Sequence, residues 1–201
     1  MIYPASYDIV ILQNATWKAS FRATQNRQTL NAITTSGGVP RFSLSCHGYA
    51  NGNKVVFTAS PPSGSTDPMV PCGLSLNTVY YVIASGLTSD VFYVATASGG
   101  SSITASGTAS GVFYSASPIS LSGYTVDSDI KGLTTNEAIA TFTPAITDAE
   151  NGQFQLVMTP TVSSGISAGR YGYDVSLTSP SGERYYWLTG VATVQNTYSR
   201  N

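Results

Sequence analysis

Charge is what this chain has least of. Only 9% of its 201 residues are Asp, Glu, Lys or Arg, and nine basic side chains stand against ten acidic ones. That balance excludes the basic field that a nucleic-acid backbone or an anionic membrane requires. Two cysteines and one histidine are too few for a disulfide framework or a paired C-x2-C zinc site. No apolar run approaches the ~20 residues that cross a bilayer as a helix. The start, MIYPASYD, lacks the basic opening and apolar block of a signal peptide. These absences predict a chain made and assembled in a cytoplasm, with its thiols reduced. Low charge with low hydrophobicity would mean disorder, but 42% of the residues are hydrophobic and 11% aromatic. The length allows one large or two small domains.

Ser and Thr make up more than a quarter of the chain, and Thr, Val, Tyr and Ile dominate between Gly and Ser punctuation, which predicts an all-β protein. The clearest element lies between Gly169 and Val194. Tyr171, Tyr173, Val175 and Leu177 alternate with Gly172, Asp174, Ser176 and Thr178, then Ser179-Pro180-Ser181-Gly182 places Pro and Gly as a type I turn prefers. With those four residues as the loop, Leu177 pairs with Arg184, Val175 with Tyr186, Tyr173 with Leu188 and Tyr171 with Gly190. This register puts Tyr186, Leu188, Ala192 and Val194 on the core face. Tyr185 and Trp187 turn outward beside Ser176 and Asp174. A one-residue slip exchanges the faces.

Upstream, Tyr7–Leu12 is apolar on both faces and reads as a strand covered on both sides. Trp17, Ala19, Phe21 and Ala23 alternate with polar residues, and Phe154, Leu156 and Met158 do the same after the Asn151-Gly152 turn. Phe21, Phe154, Tyr173 and Leu188 are expected to share one core. Thr34–Pro40 reads as a linker. Short strand candidates then recur at Phe42–Cys46, Lys54–Thr58, Thr78–Ala84, Val91–Thr96 and Gly111–Ser115, separated by Gly, Pro, Asn and Ser clusters. The economical organisation is an immunoglobulin-like antiparallel β-sandwich of residues 1–41 plus 118–201, with a small β-barrel or sandwich module, 42–117, inserted in a loop.

Three stretches carry a resemblance: Leu121–Thr125, Ile146–Phe154, and Ala168–Val175 followed by Pro180-Ser181-Gly182. Together they resemble a small β-sandwich of tailed bacteriophages found in baseplate upper and tail-fibre proteins. The inserted block, through His47-Gly48, Gly52–Phe57, Thr78–Val82, Phe92–Ala95 and Gly99–Ile103, is similar to a phage-tail module. The resemblance implies a docking role in a virion assembled in the bacterial cytoplasm. Its partners would be other virion structural proteins, with the chain present in multiple copies or as a homo-oligomer. Capsid decoration and a neck position are alternatives within the same particle. These motifs are turn and core positions, so they bear on fold more than on task.

Catalytic and metal chemistry have little to work with. Gly165-Ile166-Ser167-Ala168-Gly169 matches the letters of a nucleophile elbow, but a strand follows it where a helix should, and His47 lies far upstream. Cys46, His47 and Cys72 lack zinc spacing; the expectation is a turn histidine and two small buried thiols. Asp127 and Asp129 read as a solvated strand face. Asp148, Glu150 and Asn151 form an acidic turn without the calcium-loop pattern. No cofactor is implied, and the chain is expected not to be an enzyme. What remains is binding surface. Tyr185, Trp187 and Val191 on the outer face of the hairpin are candidate partner contacts, with Ile9 and Ile11 of the two-faced strand as a second candidate. The alternative from another class is a carbohydrate-binding module that attaches to a host surface glycan through exposed aromatics flanked by Asp, Asn or Gln.

Overall fold

The expected hairpin is present, with a different register. In the computed structural model, which describes residues 5–197, Gly169–Thr178 and Arg184–Gln195 pair antiparallel. Gly182 N–H donates to Ser179 O at 2.9 Å, and Gly182 takes a φ of 86° that only glycine adopts without strain. Ser179 then faces Glu183 across three loop residues instead of four. Near the turn Thr178 therefore pairs with Arg184, Leu177 with Tyr185 and Ser176 with Tyr186, one residue from the expected register. Between Ser176 and Val175 the register shifts again: Val175 faces Leu188, so Trp187 is the extra residue of a β-bulge. The bulge restores Leu188, Ala192 and Val194 to the core face, at 6%, 0% and 2% exposure.

In chain order the strands are β1 Ala5–Ser6, β2 Ile9–Leu12, β3 Trp17–Arg22, β4 Thr24–Thr29, β5 Ala32–Ser36, β6 Val39–Ser43, β7 Lys54–Ser60, β8 Val79–Val82, β9 Val91–Phe92, β10 Val94–Ala95, β11 Val112–Pro118, β12 Thr125–Lys131, β13 Ala138–Thr141, β14 Thr143–Asp148, β15 Gln153–Met158, β16 Gly169–Thr178 and β17 Arg184–Gln195. A five-residue helix, α1 Pro160–Ser164, starts where Thr159 caps Val162 N–H and Pro supplies the first turn. The chain is nearly all β, as its composition requires, and its sheets close into no barrel among the described residues.

The chain divides into two units, residues 1–23 with 120–201, and residues 24–119. In the first, a six-stranded sheet runs β13–β12–β16–β17, with β1 and β2 both added parallel to β17; a three-stranded sheet runs β14–β15–β3. Phe142, 2% exposed, joins the two sheets. Its ring lies 5.2 Å from Trp17 on β3 and 6.1 Å from Tyr173 on β16. Phe154 is fully buried and stacks on the half-buried Phe21 at 5.7 Å, while Tyr173 and Leu188 are buried on the facing sheet. This is the sandwich core expected from the alternation.

In the second unit a five-stranded sheet, β10–β8–β7–β11–β4, and a three-stranded sheet, β5–β6–β9, enclose a phenylalanine stack. Phe42 lies 4.4 Å from Phe57 and 5.3 Å from Phe92, all three fully buried. Offset aromatic pairs of this kind contribute about 0.5–1.5 kcal/mol each beyond their burial.

The unit boundary differs from the expected one. Residues 34–40 are not a linker: Gly37 and Gly38, at φ 57° and 78°, make the two-residue turn of the β5–β6 hairpin. Residues 24–41 therefore belong to the inserted unit. It is entered on β4 and left on β11, which pair with each other from Thr24 opposite Pro118. The outer unit is closed at the same place, because Ala23 N–H donates to Gly152 O and Leu121 N–H to Ala149 O. Both ends of the gap thus rest on one turn.

Two outcomes follow. Phe154→Ala, which empties a fully buried ring site, is expected to cost about 3–5 kcal/mol in chemical denaturation. Joining Ala23 to Ser120 through a short Gly/Ser linker is expected to leave a folded outer unit with dispersed β-type NMR shifts; a collapsed, broadened spectrum would refute this division.

Candidate functional site

Pairing partners on adjacent strands point to the same face, so the new register decides which hairpin aromatics are available. Tyr185 shares the face of Leu177 and Tyr186 that of Ser176, the reverse of the expected arrangement. Both stay open at the tip of the hairpin, Tyr185 at 41% exposure and Tyr186 at 51%. The Tyr185 hydroxyl donates to Glu183 Oε2 at 2.5 Å, and this bond to a carboxylate pushes its pKa up. Arg184 donates through Nε to the buried Ser176 Oγ at 2.9 Å, and its guanidinium lies 5.6 Å from the Tyr186 ring centre. Trp187, placed at the bulge, is half-buried, and Val191 is half-buried on the outer face beside Gly172.

Strand β2 corrects the second candidate. It is covered on one side only: Ile9 and Ile11 sit beside Ala192 and Val194 in the core at 4% and 0% exposure, whereas Val10 and Leu12 are 53% and 45% exposed. Ile9 and Ile11 are therefore core side chains, and any contact made by this edge falls to Val10 and Leu12. The segment before it is pinned at several points. The Tyr173 hydroxyl donates to Tyr7 O, Val191 N–H donates to Asp8 Oδ1 at 2.9 Å, and a Cβ on Gly190 would stand 2.1 Å from Tyr7 O. Glycine is thus required at position 190 for the chain to pass this close.

The groups with catalytic letters are placed as structure. Ser167 follows α1 and precedes β16, the reverse of the strand–turn–helix order of a nucleophile elbow. His47 is buried, its Nδ1 accepting from Tyr49 N–H at 2.9 Å and its ring packed at 5.3 Å on Tyr49 and 5.1 Å on Phe92. That is the turn histidine expected. Cys46 and Cys72 are free and exposed, not buried as expected: Cys46 sits in a turn, and Cys72 in an isolated two-bond bridge to Ser106. Cys46 N–H donates to Asp90 Oδ1, a bond that lowers the Asp90 pKa. Asp148 caps the 3-10 turn at Ala149–Asn151, accepting from Asn151 N–H at 3.2 Å and Asn151 Nδ2 at 2.7 Å. Asp127 and Asp129 lie on the open face of β12, and Asp129 accepts from Thr141 Oγ1 at 2.9 Å. Among the described residues no three His, Cys, Asp or Glu side chains converge as a metal site, and no helix is long and apolar enough to cross a membrane.

Sequence reasoning missed a cleft of about 190 Å³ on the open face of the six-stranded sheet, lined by Lys131, Leu133, Asn136, Gly172, Asp174 and Thr189. Its one sequence signal is Gly172, a side-chain gap in an otherwise regular strand. Comparison of the chain with protein-family models and with curated proteins found no match.

The Tyr173 hydroxyl titrates well above the ordinary tyrosine value because burial disfavours the phenolate and Tyr7 and Asp8 lie close by. The folded state therefore holds this proton more tightly than the unfolded chain, so its contribution is complete below about pH 10 and declines as pH rises beyond it. Tyr173→Phe is expected to cost about 1 kcal/mol at neutral pH through the lost hydrogen bond. It should also make the alkaline loss of stability shallower, as read from denaturation midpoints on either side of pH ~10.

Proposed function

We propose that this chain is a non-enzymatic structural component of a tailed-phage virion, docking to other virion subunits in or near the tail or baseplate as an adaptor or fibre-attachment part. The observation that carries this reading is the hairpin tip, where two adjacent tyrosines are held open on paired strand, between the turn and the bulge. Tyrosine combines a large apolar area with a polar handle and loses little conformational entropy on contact, which suits a docking surface. The exposed Val10 and Leu12 add an apolar edge at the other end of the last strand. The resemblance to phage docking sandwiches supports the same reading, since its quoted turn residues Gly123, Gly152 and Gly182 all take the positive φ that such turns need. Capsid decoration or a neck position would use the same tip, and the two are distinguished by where the chain stands in the particle.

The register moves the test from Trp187 to its neighbours. Trp187 is half-buried at the bulge, whereas Tyr185 and Tyr186 are already exposed. Tyr185→Ser with Tyr186→Ser is expected to change stability by no more than about 0.5 kcal/mol per site. The double variant should nevertheless be depleted from purified particles, because aromatics near the middle of an interface can each carry ~2 kcal/mol or more. Incorporation at the normal copy number would move the docking surface elsewhere.

A further inference from the structure

The cleft around Gly172 is built differently from the hairpin tip. It lies where β12, β16 and β17 present their outer faces, with Lys131 opposite Gly172 and Asp174 opposite Thr189. Gly172 supplies no side chain, so the floor is bare backbone. Leu133, 56% exposed, stands over it as an apolar wall; a Cβ added at Gly172 would meet Leu133 Cδ2 at 3.5 Å and Lys131 O at 3.9 Å, both ordinary contacts. The polar lining carries both signs. Lys131 Nζ stands 3.9 Å from Asp174 Oδ2, each side chain about a third exposed, and Asn136 and Thr189 add a neutral amide and a hydroxyl. The recess has a volume of about 190 Å³.

The charges decide what fits. Asp129 faces Asp174 directly across the strand pair, so the local sum of Asp129, Asp174 and Lys131 is negative and an anionic ligand is disfavoured. Lys131 and Asp174 already face each other, which leaves unused ammonium hydrogens and carboxylate lone pairs side by side. That donor–acceptor fork matches adjacent hydroxyls, each of which both gives and accepts a hydrogen bond. The leucine wall matches a face of C–H groups. From these features we infer that the Gly172 cleft binds one neutral sugar ring, held by Asp174, Lys131 and Asn136 on its hydroxyls and by Leu133 on its apolar face.

The test is titration of the full 15N-labelled chain with methyl α-D-glucopyranoside, methyl β-D-galactopyranoside, N-acetyl-D-glucosamine and, separately, L-alanine. Saturable shifts of the Gly132, Asn136 and Gly172 amides with at least one sugar are expected. Gly172→Val, which fills the cleft with a strand-favouring side chain, should weaken that binding about tenfold or more. Should that variant fail to fold, Asn136→Gly keeps the left-handed backbone of φ 55° and removes only the amide; it too should bind more weakly. No saturable shift with any sugar, shifts with L-alanine alone, or binding unchanged in the folded variants would each overturn the assignment.

Discussion

The β16–β17 ladder is the constraint on which the outer unit rests. Both of its strands carry further pairing: β12 registers on β16 from Thr125 opposite Thr178 to Lys131 opposite Gly172, and β1 and β2 register on β17. A shift in this one hairpin would therefore move the facing sets of every neighbouring strand. Two local features set it. Gly182 closes a three-residue loop, and the bulge at Trp187 advances the ladder by one more residue. Without the bulge, Leu188, Ala192 and Val194 would turn out to solvent. With it they stay in the core, and Tyr186 is left outside. The exposed tyrosines are in this sense a consequence of the way the core is kept dry.

The same ladder positions two kinds of surface. At the tip the side chains are large and aromatic, suited to a protein surface that brings its own apolar area. Further along, opposite Lys131, the missing side chain at Gly172 leaves a recess ringed by donors and acceptors. The raised pKa of Tyr173 belongs to the pinning of Tyr7, where Gly190 lets the backbone approach.

Much of this was legible in the residues. Period-two alternation placed Phe154, Leu156 and Met158 inside, and Pro180 with Gly182 marked the turn. The pairing was not legible, because Ser179-Pro180-Ser181-Gly182 is compatible with a loop of three or four residues and a bulge leaves no trace in composition. The single bare face of strand β2 is hidden in sequence for a related reason. Val10 and Leu12 are as apolar as Ile9 and Ile11, so sequence could not tell a doubly covered strand from an edge strand with one bare face. Strand β4, Thr24–Thr29, is almost wholly polar and exposed, and its place comes from the backbone ladder with β11. In sequence the turn Gly37-Gly38 reads as a linker because Gly and Thr serve both. The Gly172 cleft depends on side chains from three strands and a loop, a convergence no single stretch displays.

The division into two units follows from where the backbone bonds close. Strands β4 and β11 bring the ends of residues 24–119 together, and the turn at Ala149–Gly152 holds both ends of the outer unit. The central claim is that the hairpin tip of the outer unit is a docking surface within a virion. A density map of purified particles, at a resolution that traces this chain, tests it most directly. The account predicts Tyr185 and Tyr186 buried against a neighbouring subunit. A chain missing from the particle, or present with both rings in solvent, would contradict it.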